Sequence, residues 1–318
     1  MSDHIIEAFE LTKYFKSRRG QLHAVDHVSF SIDAGKTLGV VGESGCGKST
    51  LGRTCIRLIE PTSGDVKYKG DSIIHLSKRE FKKKCSCMQM IFQDPFSSLN
   101  PRMSVIDLII DPMKVNGLYR THAEYAARAR ALMDLVGLAR RVENSHPHEL
   151  DGGRRQRIGV ARALALNPDF IVCDEPVSAL DVSIQAQILN LLMDLQDEMK
   201  LSYLFITHDM SVVKHISDEI MVMYMGQCVE KAPCDEIFDN PSHPYTKALL
   251  SAIPVPSIEW KGREPETLTG EVSSPINPPN ACRFAPRCKY CTEKCRSAEP
   301  ETKEIAPGHT VKCHLFQG

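Results

Sequence analysis

An apolar run, Leu38-Gly39-Val40-Val41, leads into Gly42-Glu43-Ser44-Gly45-Cys46-Gly47-Lys48-Ser49-Thr50. Two glycines five residues apart, then Lys and Ser, set between a buried strand and a helix start, constrain the fold and the chemistry together. Glycine lets the backbone turn so tightly that successive amide N–H groups face one anion, and the helix that follows adds the positive end of its dipole. In such a loop Lys48 reaches the β- and γ-phosphates of a nucleotide, and the Ser49 hydroxyl ligates Mg²⁺. Chance would supply this pattern in about one chain in a hundred of this length. A plain strand-to-helix turn is therefore the weaker reading.

At 318 residues the chain is long enough for one large domain plus an appendage, or for two modest domains. Its 42% hydrophobic and 25% charged residues describe an ordinary globular protein, and its net charge of -1 gives no reason to expect nucleic acid as a partner. The segment from Met1 to Phe15 mixes apolar and charged residues, so it reads neither as a signal peptide nor as an anchor. No apolar run approaches the roughly 20 residues of a membrane-spanning helix. Action at a membrane would go through a partner.

Twelve cysteines divide by position. Cys46, Cys55, Cys85, Cys87, Cys173, Cys228 and Cys234 are scattered, several in apolar runs, and read as small buried thiols. Cys282, Cys288, Cys291, Cys295 and Cys313 crowd the end, with five, two, three and seventeen residues between them. In a reducing cytosol such a cluster holds metal more often than disulfides, although these spacings lack the paired C-x-x-C hooks of zinc fingers.

In chain order, β-like segments Ile5 to Phe9 and His23 to Ile32 flank a basic loop, Ser17-Arg18-Arg19-Gly20, as a hairpin. Tyr14, just before it, is either a half-buried strand aromatic or a ring that stacks on adenine. A helix is expected from Lys48 to Leu58, a strand from Asp65 to Tyr68, a basic helix from Lys78 to Lys84 and a buried strand from Met88 to Phe92. Gln93 ends that strand, placed to touch Mg²⁺ or an attacking water, and the Pro- and Ser-rich stretch Asp94 to Arg102 reads as a loop. Helical spacing then prevails from Val105 to Leu166. Within it Leu150-Asp151-Gly152-Gly153-Arg154-Arg155-Gln156 opens a helix with Asp151 as N-cap, and its glycine pair leaves room for an anion at the helix end. Phe170 to Cys173 forms a buried parallel strand that delivers Asp174 and Glu175 to the edge where α/β sheets bind ligands. Asp174 is placed to hold Mg²⁺, and Glu175 to polarise the water that attacks the γ-phosphate. After Ser178-Ala179-Leu180-Asp181 and a helix from Ser183 to Met199, the buried strand Tyr203 to Ile206 carries His208 to the same edge as a γ-phosphate contact. Glu219 to Tyr224 and Gln227 to Glu230 make a last hairpin about Gly226. A short helix, Tyr245 to Ala252, and a linker containing Pro254, Pro256 and Pro265 lead to the cysteine tail.

From Ile5 to Lys231 this ordered set resembles the ATP-binding subunits of ABC transporters. The resemblance implies an α/β P-loop NTPase of ABC type: a RecA-like core, an antiparallel β subdomain and an inserted helical subdomain, here with a small Cys-rich C-terminal extension. The boundaries it implies are 1–240 for the nucleotide-binding domain, with the helical subdomain near 94–165, and 241–318 for the extension. On it, Tyr14 is the adenine-stacking aromatic, Gly42 to Thr50 the Walker A loop, Gln93 the Q-loop glutamine and Asp151 to Arg154 part of the signature that faces a partner's ATP. Asp174 and Glu175 close the Walker B strand, with Glu175 catalytic; Asp181 ends the D-loop and His208 is the switch histidine. ATP is the substrate, and Ser49, Gln93 and Asp174 bind Mg²⁺.

A narrower likeness rests on Phe92 to Arg102, His243-Pro244-Tyr245-Thr246-Lys247-Ala248-Leu249-Leu250 and Cys282-Arg283-Phe284-Ala285-Pro286-Arg287-Cys288, which look like the oligopeptide/dipeptide (and nickel) importer branch. Gly39 to Arg53 resembles that branch's F subunit. The branch implies a four-iron, four-sulfur cluster on Cys282, Cys288, Cys295 and Cys313, with Cys291 an extra; four thiolates also suit Zn²⁺. It further implies a related ATPase (the D subunit) or a second copy as dimer partner, two membrane permeases, a substrate-binding protein outside the cell, no nucleic acid, and a peripheral place on the cytoplasmic face of the membrane. The rival is a soluble, non-transport ABC ATPase with a metal-binding tail.

One departure stands out. The family signature has Ser where this chain has Asp151, and Gln where it has Arg154. A carboxylate close to a partner's γ-phosphate adds repulsion on the order of 4 kcal/mol per charge pair at an effective dielectric near 20. Arg154 or Arg155 would offset part of it.

Overall fold

The first two strands, His4–Ser17 and Gly20–Asp33, run 14 residues each, well beyond the short segments expected from sequence. The first survives its polar middle because a bulge, with Glu10 at φ 45, shifts its register against Ser63–Tyr68 between Phe9 and Thr12. The computed structural model describes residues 4–253 and 275–317; the linker prolines Pro254, Pro256 and Pro265 lie outside them. The chain divides into two bodies. One takes its described residues from Met1–Ile32, Thr37–Ile74 and Phe205–Gly318, the other from Asp33–Lys36 and His75–Leu204.

In the first body an antiparallel sheet orders Gly20–Asp33, His4–Ser17, Ser63–Tyr68 and Asp71–Ser72. A second set of strands is centred on Thr37–Val41, buried at all five residues, as its apolar run requires. It pairs in parallel with Glu219–Tyr224, setting Val40 opposite Met221, and Glu219–Tyr224 pairs antiparallel with Gln227–Pro233. The phosphate-loop helix is Lys48–Cys55, shorter than expected because Arg57 at φ 53 cannot continue it.

The hairpin about Gly226 is not the last. His309–Val311 pairs with Gln227–Pro233, and Lys303–Ala306 pairs with His309–Val311. Strands of three and four residues are too short to show a period-2 pattern. A buried carboxylate anchors them. Glu230, fully buried, accepts hydrogen bonds from Ser242 N (2.6 Å) and His243 N (2.9 Å) and lies 2.8 Å from His309 Nε2. The tail also enters the core beside the phosphate-loop strand: Phe284 packs with Val41, Val222, Tyr224 and Tyr245. The Tyr224, Tyr245 and Phe284 rings meet at centroid distances of 4.8, 5.3 and 5.5 Å.

In the second body Met88–Ile91 pairs in parallel with Phe170–Asp174, and helices Val105–Asn116, His122–Leu135 and Gly152–Leu164 pack on one another. Asp94 to Arg102 is not wholly a loop. Pro95–Ser98 forms one helical turn, because Asp94 Oδ1 accepts from Phe96 N (2.8 Å) and proline suits the first helical position.

His243, 1% exposed, accepts from Tyr245 N at 3.1 Å, and burial pushes its imidazole pKa down to about 3. Between that value and an unfolded pKa near 6.5 the unfolded chain binds the extra proton, so stability falls as pH drops through this window by about 1.4 kcal/mol per unit. Urea melts between pH 7 and pH 4 should show this slope, flattened in His243→Gln; an unchanged slope in the variant would assign it elsewhere.

Candidate functional site

The first body holds the phosphate loop. Gly42, Gly45 and Gly47 take φ of 152, 79 and 108. A Cβ on Gly42 would come 2.2 Å from Met223 O, and one on Gly47 would come 1.9 Å from Ala24 O, so both sites exclude any side chain. Ser44 and Gly45 form the exposed crown, and a Cβ at Gly45 would meet nothing within 4 Å. The helix Lys48–Cys55 starts at Gly47 without a side-chain cap, leaving its end N–H groups to an anion. Lys48, 4% exposed, donates from Nζ to Gly42 O (2.7 Å) and Glu43 O (3.0 Å), which holds its ammonium inside the loop. This cradle of glycine backbone, uncapped helix and lysine fits a nucleotide phosphate. The Cys46 sulfur also accepts from Lys48 Nζ, at 3.9 Å; its thiol is buried, and burial raises its pKa.

Tyr14 stacks on His23 at 3.8 Å with a 23° tilt, so one face of its ring is covered. Its hydroxyl donates to Asp26, which also pairs with His23 (3.1 Å), His27 (2.8 Å) and Arg283 of the tail. Burial acts to raise the Asp26 pKa, but hydrogen bonds from Tyr14 and His23 and the Arg283 charge hold the carboxyl well below the usual range. His208 is exposed, between Thr207, whose N–H donates to Val40 O (3.1 Å), and Asp209, which caps the helix Met210–Ile216.

The second body brings Gln93 and Glu175 together, with Gln93 Nε2 donating to Glu175 Oε2 at 2.9 Å. Asp174 is fully buried at the end of its strand. Glu175 takes φ 45, a left-handed conformation that costs a non-glycine residue on the order of 1 kcal/mol, and such strain gathers at functional positions. Asp151 Oδ1 caps the helix Gly152–Leu164 through Arg154 N (2.8 Å), and Arg154 Nε lies 3.4 Å from Asp151 Oδ2. The glycine pair has a packing role as well: a Cβ at Gly152 would lie 3.0 Å from Leu180, and one at Gly153 2.8 Å from Ile184. Asp181 precedes the helix Val182–Met199, its carbonyl accepting from Gln185 N at 2.8 Å.

The tail departs from expectation. Cys282 N donates to Cys295 O (3.0 Å), and burial, then the neighbouring Cys295 and Cys313 sulfurs, push the Cys282 thiol up to about 11. Among the described residues, however, no three His, Cys, Asp or Glu side chains are arranged to hold a metal ion, so the iron–sulfur or Zn²⁺ site on Cys282, Cys288, Cys295 and Cys313 is not supported. What sequence reasoning missed is the tail's grip on the phosphate loop. Arg287 pairs with Glu43 through two bonds, Nη1 to Oε2 at 2.7 Å and Nη2 to Oε1 at 3.0 Å, and Tyr245 Oη accepts from Glu43 N at 2.8 Å. The only signal was that both residues lie in the stretches carrying the narrower family likeness.

The family pattern described as "ABC transporter" matches residues 25–178, and "Oligopeptide/dipeptide transporter, C-terminal region" matches residues 229–295. The chain is 50% identical to the oligopeptide transport ATP-binding protein AppF of Bacillus subtilis, over 98% of this chain and 97% of that protein. It is 48% identical to the dipeptide transport ATP-binding protein DppF of Haemophilus influenzae, over 97% and 96%. Among solved structures, the ATP-binding cassette MJ0796 in a post-hydrolysis state with ADP and Pi superposes with a TM-score of 0.66 at 28% identity, covering 72% of this chain and 98% of that one. CbiO1 of Clostridium perfringens superposes with a TM-score of 0.66 at 25% identity, over 75% and 92%.

Glu175→Gly should relieve the left-handed strain. Its expected effect is about 1 kcal/mol of added stability, read as a thermal midpoint about 2 °C higher despite the lost carboxylate. A lower midpoint would mean that the Gln93 contact outweighs the strain.

Proposed function

The chain belongs to the ABC transporter ATP-binding family, and from that premise we propose that it hydrolyses ATP to power the import of oligopeptides or dipeptides. The observation that carries this reading is the full-length likeness to oligopeptide- and dipeptide-transport ATP-binding proteins. The match to the transporter C-terminal region supports it at the other end of the chain. The same likeness disfavours a soluble, non-transport ATPase. Among the described residues no helix is long and apolar enough to cross a membrane, in keeping with cargo that passes through separate permease subunits. Two such permeases, a D-type ATPase or a second copy as dimer partner, and an extracytoplasmic binding protein complete the proposed assembly, with this chain on the cytoplasmic face of the membrane.

In this mechanism the loop amides and Lys48 hold the β- and γ-phosphates. Ser49, Gln93 and Asp174 would hold Mg²⁺, which supplies neutralisation of phosphate charge. Glu175 orients the attacking water and takes its proton, while Gln93, by donating to Oε2, fixes the carboxylate. His208 contacts the γ-phosphate, and Tyr14 stacks on adenine. Asp151 to Arg154 and Asp181 face the nucleotide held by the partner subunit. There the Asp151 carboxylate weakens the composite site, with Arg154 offsetting part of its charge.

Lys48→Ala in the purified chain should weaken ATP binding by about a hundredfold or more, measured by calorimetry; retained affinity would sink the ATP-site reading. Glu175→Gln should bind ATP normally yet lower the ATPase rate of the assembled complex by about a hundredfold or more, and a normal rate would remove Glu175 as the base. Asp151→Ser in that complex should raise ATP turnover by about twofold or more, and an unchanged rate would end the idea of a weakened site.

A further inference from the structure

The phosphate loop carries its own anion. Glu43, one residue into the loop, brings a carboxylate to a turn shaped to receive phosphate, where like charge opposes binding. The first body answers that charge from the tail. Arg287 closes the short 3₁₀ turn Ala285–Arg287 and grips both Glu43 oxygens in a fork. The Arg287 side chain is 6% exposed and that of Glu43 25%, so solvent screens the pair only in part.

The pair is held from several sides. Phe284 sits in the aromatic cluster with Tyr224 and Tyr245, and Arg283 donates to Met225 O and to Asp26, the acceptor of the Tyr14 hydroxyl. Glu43 is fixed at three groups at once: its N–H by Tyr245, its carbonyl by Lys48 and its carboxylate by Arg287. The side chain meant to meet phosphate and the side chain of the tail thus converge on one residue.

We propose that Arg287 is a positioning residue for nucleotide binding that acts through Glu43, setting the loop's second residue and cancelling the repulsion of its carboxylate toward a triphosphate. This deepens the reading of the loop as the ATP site and rests on it. A mere structural tie would make Arg287 matter for folding; charge cancellation makes the harm of its loss depend on Glu43.

The experiment measures binding of ATP and ADP to the full chain by calorimetry, alongside thermal unfolding, at low and high salt. Arg287→Gln should weaken ATP binding by roughly tenfold at low salt, less at high salt, and ADP less than ATP. Adding Glu43→Gln to it should restore ATP affinity to within about threefold of wild type. Wild-type-like ATP affinity in Arg287→Gln overturns the proposal, and so does a folded double variant that binds as poorly as the single. If Arg287→Gln does not fold, the double variant decides alone: folded with near-wild-type affinity it supports the proposal, and unfolded it overturns it in favour of a structural tie. Failure of the underlying reading looks different, since there the wild-type chain binds no ATP or Lys48→Ala binds it unchanged.

Discussion

The phosphate loop is held by backbone against backbone. Gly42 and Gly47 approach Met223 O and Ala24 O too closely for any Cβ, Gly226 N donates to Cys46 O at 2.8 Å, and Asp26 N donates to Gly226 O at 2.9 Å. Main-chain contacts leave no slack for side-chain adjustment, so a turn that would otherwise flex is set before any ligand arrives. The loop's place thus depends on the antiparallel strand Gly20–Asp33 and on the end and turn of a hairpin far along the chain.

Around that rigid frame the first body distributes charge in pairs. Asp26 is met by Tyr14, His23, His27 and Arg283, Glu230 by two amides and His309, and Glu43 by Arg287. Each carboxylate comes from the first three quarters of the chain, and each has a partner from the tail. Removing one member of such a pair leaves a partly desolvated charge without compensation, which costs more than the pair contributes. The tail is therefore part of the electrostatics of the phosphate loop.

The second body places chemistry by other means. A strand buried at every residue carries Asp174, and Glu175 follows in a left-handed turn where its carboxylate meets Gln93. Asp151 caps the helix Gly152–Leu164 while bringing a charge to its end, and Arg154 lies against that charge. The Arg154 guanidinium offsets part of that charge locally.

Much of this was legible in advance because the signals are local. The Gly42 to Ser49 spacing, the all-apolar strands ending in Asp174 and before His208, and the Asp151 cap need only neighbouring residues to be read, and the structure keeps each of them. The single helical turn after Asp94, the short tail strands and the full length of the first hairpin were not readable. They depend on a cap within a proline-rich stretch, a distant buried carboxylate and a bulge. The amino-acid order by itself determined a glycine-rich turn between strand and helix, an apolar strand that ends in two acids, and the family they mark, since glycine conformation, apolar runs and capping act within a few residues. Only the tertiary structure decided that Arg283 and Arg287 reach Asp26 and Glu43 more than 240 residues away, because such pairings follow from packing that no local pattern encodes.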